Sequence, residues 1–238
     1  MAREKYKASV KLLTDVIKTN PERTTAYRKL AEVFYLQDEP EAGIEYFDAL
    51  SVESPDNLLL SYGRAYIFQK TGKHEKAGDE YNRILTYLQP SSLIYKDFID
   101  NCEKMVALSM ADSILKVISR GYPESGALLN GLGYLAIKQH RWQDGIAILD
   151  SSIHKGDDIL EAYYLKGVVF FSTSRYDSFL TTGKKGLHEA EIRRDLRYRC
   201  IFSGNVGIAH NYLGHYPEAI KYTRKAIRLA KRSGEIQE

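Results

Sequence analysis

The stretch LGHYPEAIKYTRKAI at residues 213–227 decides the fold, because its arrangement recurs along the chain. It places a glycine first, an aromatic ring two residues later, and an alanine three residues after the ring. TGKHEKAGDEYNRIL at residues 71–85 repeats this arrangement, with an imidazole as the ring. Further copies stand at residues 37–51, 139–153 and 173–187. Self-similarity at a fixed period predicts a repeat architecture, in which each unit buries its apolar face against the next.

The period of the repeat is clearest in the first half of each unit. Small residues recur there one or two periods apart, and Ile99 fills the missing position; the small residues are Ala31, Ala65, Gly133 and Gly167. Mostly large residues precede this position by four and follow it by three; the following ones are Phe34, Phe68, Cys102, Ala136 and Phe170. Offsets of three and four residues place side chains on one face of a helix. We therefore predict a helix in the first half of each unit.

The second half of each unit shows the same periodicity. A small residue is followed four residues later by a large one, in the pairs Gly43 and Phe47, Ala77 and Tyr81, Ala111 and Leu115, and Gly145 and Leu149. Prolines end the units at Pro21, Pro55 and Pro123, with Pro90 one residue late. Small residues let two antiparallel helices approach closely, so each unit is predicted to be a helix pair.

These features resemble the tetratricopeptide repeat family, whose unit reads W-x2-L-G-x2-Y, then A-x3-F, then P over about 34 residues. The resemblance covers nearly the whole chain and implies an all-α, right-handed superhelical α-solenoid of helix-turn-helix repeats. We expect a single domain over residues 1–238, with a half repeat at 1–22 and repeats at about 24–57, 58–91, 92–125, 126–159, 160–199 and 200–233. The six helix pairs are expected to begin near Thr24, Leu58, Ser92, Gly126, Leu160 and Cys200.

The fifth and sixth units depart from the period. The interval from Gly167 to Gly207 is six residues longer than one period, and we expect the added residues to lengthen the helices on both sides of that turn. Gly183 and Gly186 fall inside the fifth unit's second helix, and each costs about 0.5–1 kcal/mol relative to alanine. This helix is predicted to be the least stable.

Composition limits the classes of function. The 238 residues are 44% hydrophobic with a net charge of +3, and no apolar run approaches the roughly 18 residues that a bilayer span needs. We therefore expect no membrane insertion. Cys102 and Cys200 show neither disulfide nor zinc spacing, so a reducing cytoplasm is the expected location.

The residue types that carry catalysis do not form a recognised motif. GLGYLAIK at residues 131–138 contains G-x-G, but it lies in a helix-pair pattern and not after a strand. None of the six histidines has a metal-ligand partner four residues away, and His210 and His215, five apart, should lie on different helix faces or across a turn. We predict no enzyme activity, no metal and no cofactor.

The family resemblance implies that the first helices line a concave groove, where a protein or peptide segment binds. Tyrosine suits such a surface because it offers a large apolar body with a polar tip, although some of these rings could instead pack between neighbouring helices. The predicted partner-binding residues are Arg28, Glu32, Tyr35, Tyr62, Tyr66, Lys96, Asp100, Asn130, Tyr134, Lys138, Tyr164, Phe171, Asn211 and Tyr212. The carboxylate clamp of chaperone-binding relatives is not reproduced, since Glu32, Gly63 and Asp97 stand in the corresponding region.

Two other functions remain open from the sequence. The chain suits a regulatory or sensor segment of a larger signalling protein. Nucleic-acid binding is less expected; it would use the basic region from residue 184 to 232, with Arg193, Arg194, Arg197 and Arg199 on phosphates and Tyr198 or Tyr212 stacking on bases.

The last helix has apolar residues and no polar capping helix after it. Ile220, Ile227 and Leu229 are available for a further contact. We expect either an excised piece of a longer protein or self-association through uncapped ends.

Overall fold

The computed structural model describes residues 2–85, 87, 89 and 91–233, and Pro90 lies outside them. The described residues form thirteen α-helices and no β-strand. The helices are α1 (Ala2–Thr19), α2 (Thr24–Leu36), α3 (Pro40–Glu53), α4 (Leu59–Lys70), α5 (His74–Leu85), α6 (Ser92–Lys104), α7 (Leu108–Gly121), α8 (Gly126–Lys138), α9 (Trp142–Lys155), α10 (Ile159–Ser172), α11 (Tyr176–Ile192), α12 (Leu196–Tyr212) and α13 (Tyr216–Ser233). The all-α solenoid class predicted from the sequence is confirmed. None of these helices is long and apolar enough to cross a membrane.

The turn inside each helix pair carries the period in its backbone. A residue with left-handed φ recurs once in each of these turns, and the interval before the last one is longer; these residues are Asp38, Gly72, Val106, His140, Ser174 and Gly214. The next residue donates its N–H to the carbonyl five residues earlier, as from Glu39 to Phe34 at 3.0 Å and from Arg175 to Phe170 at 2.8 Å. This Schellman arrangement satisfies carbonyl groups that the helix end leaves unpaired. The predicted period therefore recurs in the backbone hydrogen bonds of the turns as well as in the residue types.

The chain divides into two compact units, which we call unit 1 (ending at Pro123) and unit 2 (beginning at Glu124). Unit 1 contains α1 to α7, and each helix packs on the next in the chain or on the next first helix. Small residues allow this approach: a Cβ added at Gly43 would lie 2.8 Å from Cβ of the buried Phe34, and both residues belong to the predicted periodic positions. The interlock of small and large residues predicted from the sequence is thus present in unit 1.

Unit 2 contains α8 to α13, and the helices on either side of the six-residue insertion are longer than the two that precede them. The helices α11 and α12 have 17 residues each, against 14 in α9 and in α10. The predicted lengthening is confirmed. The two glycines of α11 allow α12 to pack closely, since an added Cβ would lie 2.5 Å from Phe202 at Gly186 and 3.2 Å from Val206 at Gly183.

One predicted boundary differs from the structure. The sixth pair begins at Leu196, four residues before Cys200. Asp195 caps this helix because its Oδ1 accepts the N–H of Tyr198 at 2.9 Å. The helix extends toward its N-terminus because this cap lies inside the insertion.

Candidate protein-interaction surfaces

The first helices of unit 1 meet at a buried carboxylate, Asp97 on α6. Its Oδ2 accepts the Tyr62 hydroxyl at 2.5 Å, and its Oδ1 lies 3.4 Å from Nη2 of Arg28. Burial raises the pKa of Asp97, and the opposing effects of Arg28 and Tyr62 do not cancel that rise. The network joins α2, α4 and α6, so its charge is compensated inside unit 1.

Tyr62 and Tyr66 belong to this interior and not to an exposed groove. Tyr62 is 0% exposed, and Tyr66 is also buried. The Arg28 guanidinium lies 5.0 Å and the Lys70 ammonium 5.3 Å from the Tyr66 ring centroid. The predicted exposure of these two rings is therefore wrong. The physical reason is that Tyr62 has a buried acceptor for its hydroxyl and Tyr66 supports two cations.

The remaining predicted residues of unit 1 are more accessible. Glu32 and Tyr35 are exposed on α2, whereas Lys96 and Asp100 are half-buried on α6. Unit 1 therefore offers a polar surface of mixed charge with one accessible predicted ring.

In unit 2, Asn130 is also part of the interior. Its Nδ2 donates to the carbonyl of Asp158 at 3.0 Å, and its Oδ1 accepts the Ser152 hydroxyl at 2.8 Å. The predicted exposure of Asn130 is wrong, because its amide joins α8 to α9 and to the connection before α10.

Three further predicted residues of unit 2 are half-buried. The Lys138 ammonium lies 5.2 Å from the Tyr134 ring centroid, and Tyr164 packs against two apolar clusters. The exposed part of each side chain can contribute to a binding surface, but much of each side chain packs against neighbouring residues.

Three rings at the ends of α10, α11 and α12 form an open aromatic surface, which we call the aromatic cluster: Phe171, Tyr176 and Tyr212. Tyr176 and Tyr212 stack with centroids 4.5 Å and planes 15° apart, and Phe171 meets Tyr212 edge-on at 5.5 Å. Phe171 is 40% and Tyr212 52% exposed. Asn211, beside them on α12, is exposed as well. The structure thus brings the predicted candidates Phe171 and Tyr212 into contact, and Asn211 is exposed next to Tyr212 in the chain.

Sequence reasoning missed Tyr176. It occupies the ring position of the turn motif, as His74, Trp142 and Tyr216 do, and not a position in the first half of a unit. The sequence feature that could have identified Tyr176 is that aromatic residues occur near the turn in two consecutive units of the chain.

A cavity of about 380 Å³ opens at the turn between α8 and α9 in unit 2. Its wall includes Trp142, Ile146, Val169 and Arg175. Trp142 is the single tryptophan of the protein. The sequence pattern did not predict this cavity, because its wall combines residues one repeat apart.

The basic region of unit 2 is partly committed to internal contacts. The Tyr198 hydroxyl donates to Glu161, and its ring stacks on Phe202 with planes 25° apart. The Arg197 guanidinium lies 5.5 Å from the Tyr198 ring, and Arg193 pairs with Glu189 at 3.8 Å. These contacts disfavour Tyr198 as a platform for a nucleic-acid base.

The two histidines of the last turn meet across it. Nδ1 of His210 lies 3.3 Å from Nδ1 of His215, and the His210 ring stacks on Tyr222. Burial, Lys184 and His215 lower the pKa of His210, which favours the neutral ring. In the described ranges no cluster of three or more His, Cys, Asp or Glu side chains is placed to hold a metal ion.

The buried cysteine has no nucleophilic character. Burial raises the pKa of the Cys102 thiol to about 12. A thiol in this environment is inert, since the thiolate is the reactive form.

The apolar residues of α13 divide between surface and interior. Ile220 and Ile227 are exposed, whereas Leu229 is buried. Self-association through this surface stays a prediction.

Comparison with known proteins identifies the repeat. The tetratricopeptide repeat family matches residues 1–57 and 118–191, which together are more than half of the chain. No curated protein matches the chain in sequence.

Several solved structures share the fold at low sequence identity. A tetratricopeptide repeat protein from Parabacteroides merdae is 13% identical with a TM-score of 0.58, over 96% of this chain and 88% of that one. The thermophilic repeat protein TTC0263 of Thermus thermophilus is 18% identical with a TM-score of 0.56, over 77% of this chain and 98% of that one. A chain of the APC/C hetero-tetramer Cut9–Hcn1 is 15% identical with a TM-score of 0.53; the match covers 95% of this chain but only 44% of that one. At these identities the likeness concerns the fold alone.

Proposed function

Since this chain belongs to the tetratricopeptide repeat family, we propose that it is a non-catalytic scaffold that binds a segment of a partner protein. The observation that carries the proposal is the aromatic cluster of unit 2. Solvent-exposed rings in mutual contact are costly to leave uncovered, and they are typical of recognition surfaces.

The geometry of the cluster suits a partner segment. Stacking of Tyr176 on Tyr212 fixes both rings before binding, so little side-chain entropy is lost when a partner covers them. The ring centroid of Phe171 lies 5.4 Å from that of the buried Phe179, so this ring packs against the core. Preordered aromatic rings are the residues that most often dominate binding energy at interfaces.

The accessible predicted residues complete the proposed surface in each unit. In unit 2, Asn211 offers an amide beside the rings, and Tyr134, Lys138 and Tyr164 offer partly buried edges. In unit 1, the proposed contacts are Glu32, Tyr35, Lys96 and Asp100. Mixed polar groups around a few rings suit an extended or helical peptide segment.

The proposal is tested by selecting peptides from a random display library on the immobilised protein. The affinity of the enriched peptide is then measured by fluorescence polarisation for the wild type and for Phe171→Ala/Tyr212→Ala. We expect the double variant to bind at least about tenfold more weakly, because hot-spot rings contribute about 2 kcal/mol or more. Circular dichroism and the melting temperature should stay close to those of the wild type.

The matched control is Tyr87→Ala, which removes a well-exposed tyrosine of unit 1 outside the cluster. It should bind as the wild type does. Failure to enrich any peptide, or equal affinity of the double variant, would overturn the proposal.

A further inference from the structure

We propose that the cavity beside Trp142 is a separate binding site, which takes an apolar side chain of a partner peptide together with a neighbouring acidic residue. None of the rings of the aromatic cluster lines this cavity. The inference therefore goes beyond the proposed function and can fail or hold independently of the cluster.

The apolar half of the site comes from two consecutive repeats. Trp142 and Ile146 lie on the first turns of α9, and Val169 lies near the end of α10. Trp142 is half-buried, and its ring centroid lies 5.3 Å from that of the His140 ring, with the two planes 65° apart. With a volume of about 380 Å³, the cavity holds one apolar side chain and the group beside it. A tryptophan in a concave apolar wall is a common anchor for such a side chain.

The charged half of the site is Arg175, which also lines the cavity. Its guanidinium lies 4.7 Å from the Phe170 ring centroid and is oriented by that ring. Within the part of the chain that the structure describes, no carboxylate forms an ion pair with Arg175. A guanidinium held on a ring with its donors unpaired is suited to a carboxylate ligand.

The neighbouring repeat shows what is different at Arg175. Its counterpart one repeat earlier, Arg141, lines the cavity together with Asp144, and these two side chains pair at 3.0 Å; Arg141 also donates to Gln139 at 2.9 Å. The position equivalent to Asp144 in the next repeat is Ser178. The carboxylate that neutralises the first arginine is therefore replaced by a hydroxyl beside the second. The exposed guanidinium of Arg175 is therefore open to a carboxylate of a ligand, which favours an acidic partner.

Trp142 provides the measurement, because as the only tryptophan it reports on the cavity alone. The full chain is titrated with the blocked peptide Ac-Ala-Asp-Leu-Asp-Ala-NH2 and with its isostere containing Asn in place of Asp, while Trp142 emission is recorded. We expect both peptides to perturb the emission and the acidic one to bind about fivefold more tightly, an advantage that added salt removes.

Two variants assign this advantage to Arg175. Arg175→Gln removes the cation, and Ser178→Asp supplies the internal carboxylate present in the preceding repeat. In each variant the acidic peptide and its Asn isostere should bind with nearly equal affinity. Arg23→Gln, at an exposed arginine of unit 1, is the matched control and should keep it.

The outcomes separate this inference from the proposed function. An unchanged Trp142 emission with either peptide, or an equal affinity for both peptides in the wild type, would overturn the inference. The variant Phe171→Ala/Tyr212→Ala should bind the acidic peptide as the wild type does. Loss of this binding in that variant would contradict a separate site.

Discussion

The two units use the aromatic residues of their first helices in opposite ways. In unit 1, Tyr62 and Tyr66 are enclosed with Arg28 around the buried Asp97. In unit 2, Phe171 and Tyr212 remain open to solvent and contact one another through their edges. The same repeat therefore provides a polar core in one unit and an aromatic surface in the other.

The difference shows that a polar neighbour determines whether a tyrosine side chain is buried or exposed. A buried hydroxyl needs a hydrogen-bond partner, and Asp97 on the adjacent first helix supplies one for Tyr62. For Tyr212 the observed neighbours are the rings of Phe171 and Tyr176, and half of the side chain stays exposed. We expect unit 1 rings to govern stability and unit 2 rings to govern binding.

Among the variants that change a charge, the largest effect should come from Arg28→Ala, which leaves Asp97 as a buried carboxylate without its cation. Breaking a buried pair costs about 3–5 kcal/mol, but Arg28 is about a third exposed and water replaces part of its contribution. We expect the free energy of unfolding to fall by about 2–3 kcal/mol in urea denaturation. The double variant Arg28→Ala/Asp97→Asn should recover about half of this loss.

The pH dependence of the same variant provides a second check. Burial already raises the pKa of Asp97 in the folded chain, and loss of Arg28 raises it further. A carboxyl with a raised folded-state pKa contributes stability at low pH that is lost as pH rises through that pKa. The deficit of Arg28→Ala should therefore shrink on acidification. A deficit that grows on acidification would contradict the buried position of Asp97.

The next effect should come from Gly186→Ala in unit 2, where α11 and α12 pack closely against one another. The new Cβ would lie 2.5 Å from the Phe202 ring, so α11 and α12 must separate. Overpacking of this kind costs about 1–3 kcal/mol, despite the better helix propensity of alanine. Thermal denaturation should show a lower melting temperature. Gly204→Ala on α12, where an added Cβ meets no atom within 4 Å, is the control and should raise it.

A smaller effect of opposite sign should come from the turn of unit 1 at Val106. This β-branched residue has a φ of 55° and is 93% exposed. Left-handed backbone costs such a residue about 1–2 kcal/mol, which Val106→Gly removes at some cost in chain entropy. We expect a gain of about 1 kcal/mol, whereas Val117→Gly within α7 should lose about that amount. A loss in both variants would show that the turn of unit 1 differs from the turn at Gly214.

The smallest effect on stability should come from Tyr212→Ala. Half of this side chain is exposed, so its removal should change the free energy of unfolding by about 0.5 kcal/mol or less. Tyr62→Ala should instead cost about 3–5 kcal/mol, the usual range for a buried ring. Urea denaturation of the two variants compares them directly, and equal losses would remove the distinction between the units.

Periodicity predicted the fold because the same spacing of small and large residues is needed in every helix pair. Gly43 against Phe34 and Gly133 against Leu149 show why: the small residue is the place where a large neighbouring side chain fits. The start of α12 could not be predicted by the period alone, since the Asp195 cap lies within the insertion.

The candidate site was harder to predict because position in the repeat does not determine exposure. Tyr62 and Asn130 occupy first-helix positions, yet each finds a buried hydrogen-bond partner on another element. To predict the charge of the cavity, Arg141 had to be compared with Arg175. Only the three-dimensional arrangement shows which of the two lacks a carboxylate partner.

The most direct test of the contrast is the rate of tyrosine nitration under native conditions, followed residue by residue by mass spectrometry. The structure predicts rapid modification of Tyr212 and protection of Tyr62 and Tyr66 until the protein unfolds. Modification of Tyr62 at the rate of Tyr212 in the folded protein would contradict the assignment of stability to unit 1 rings and of recognition to unit 2 rings.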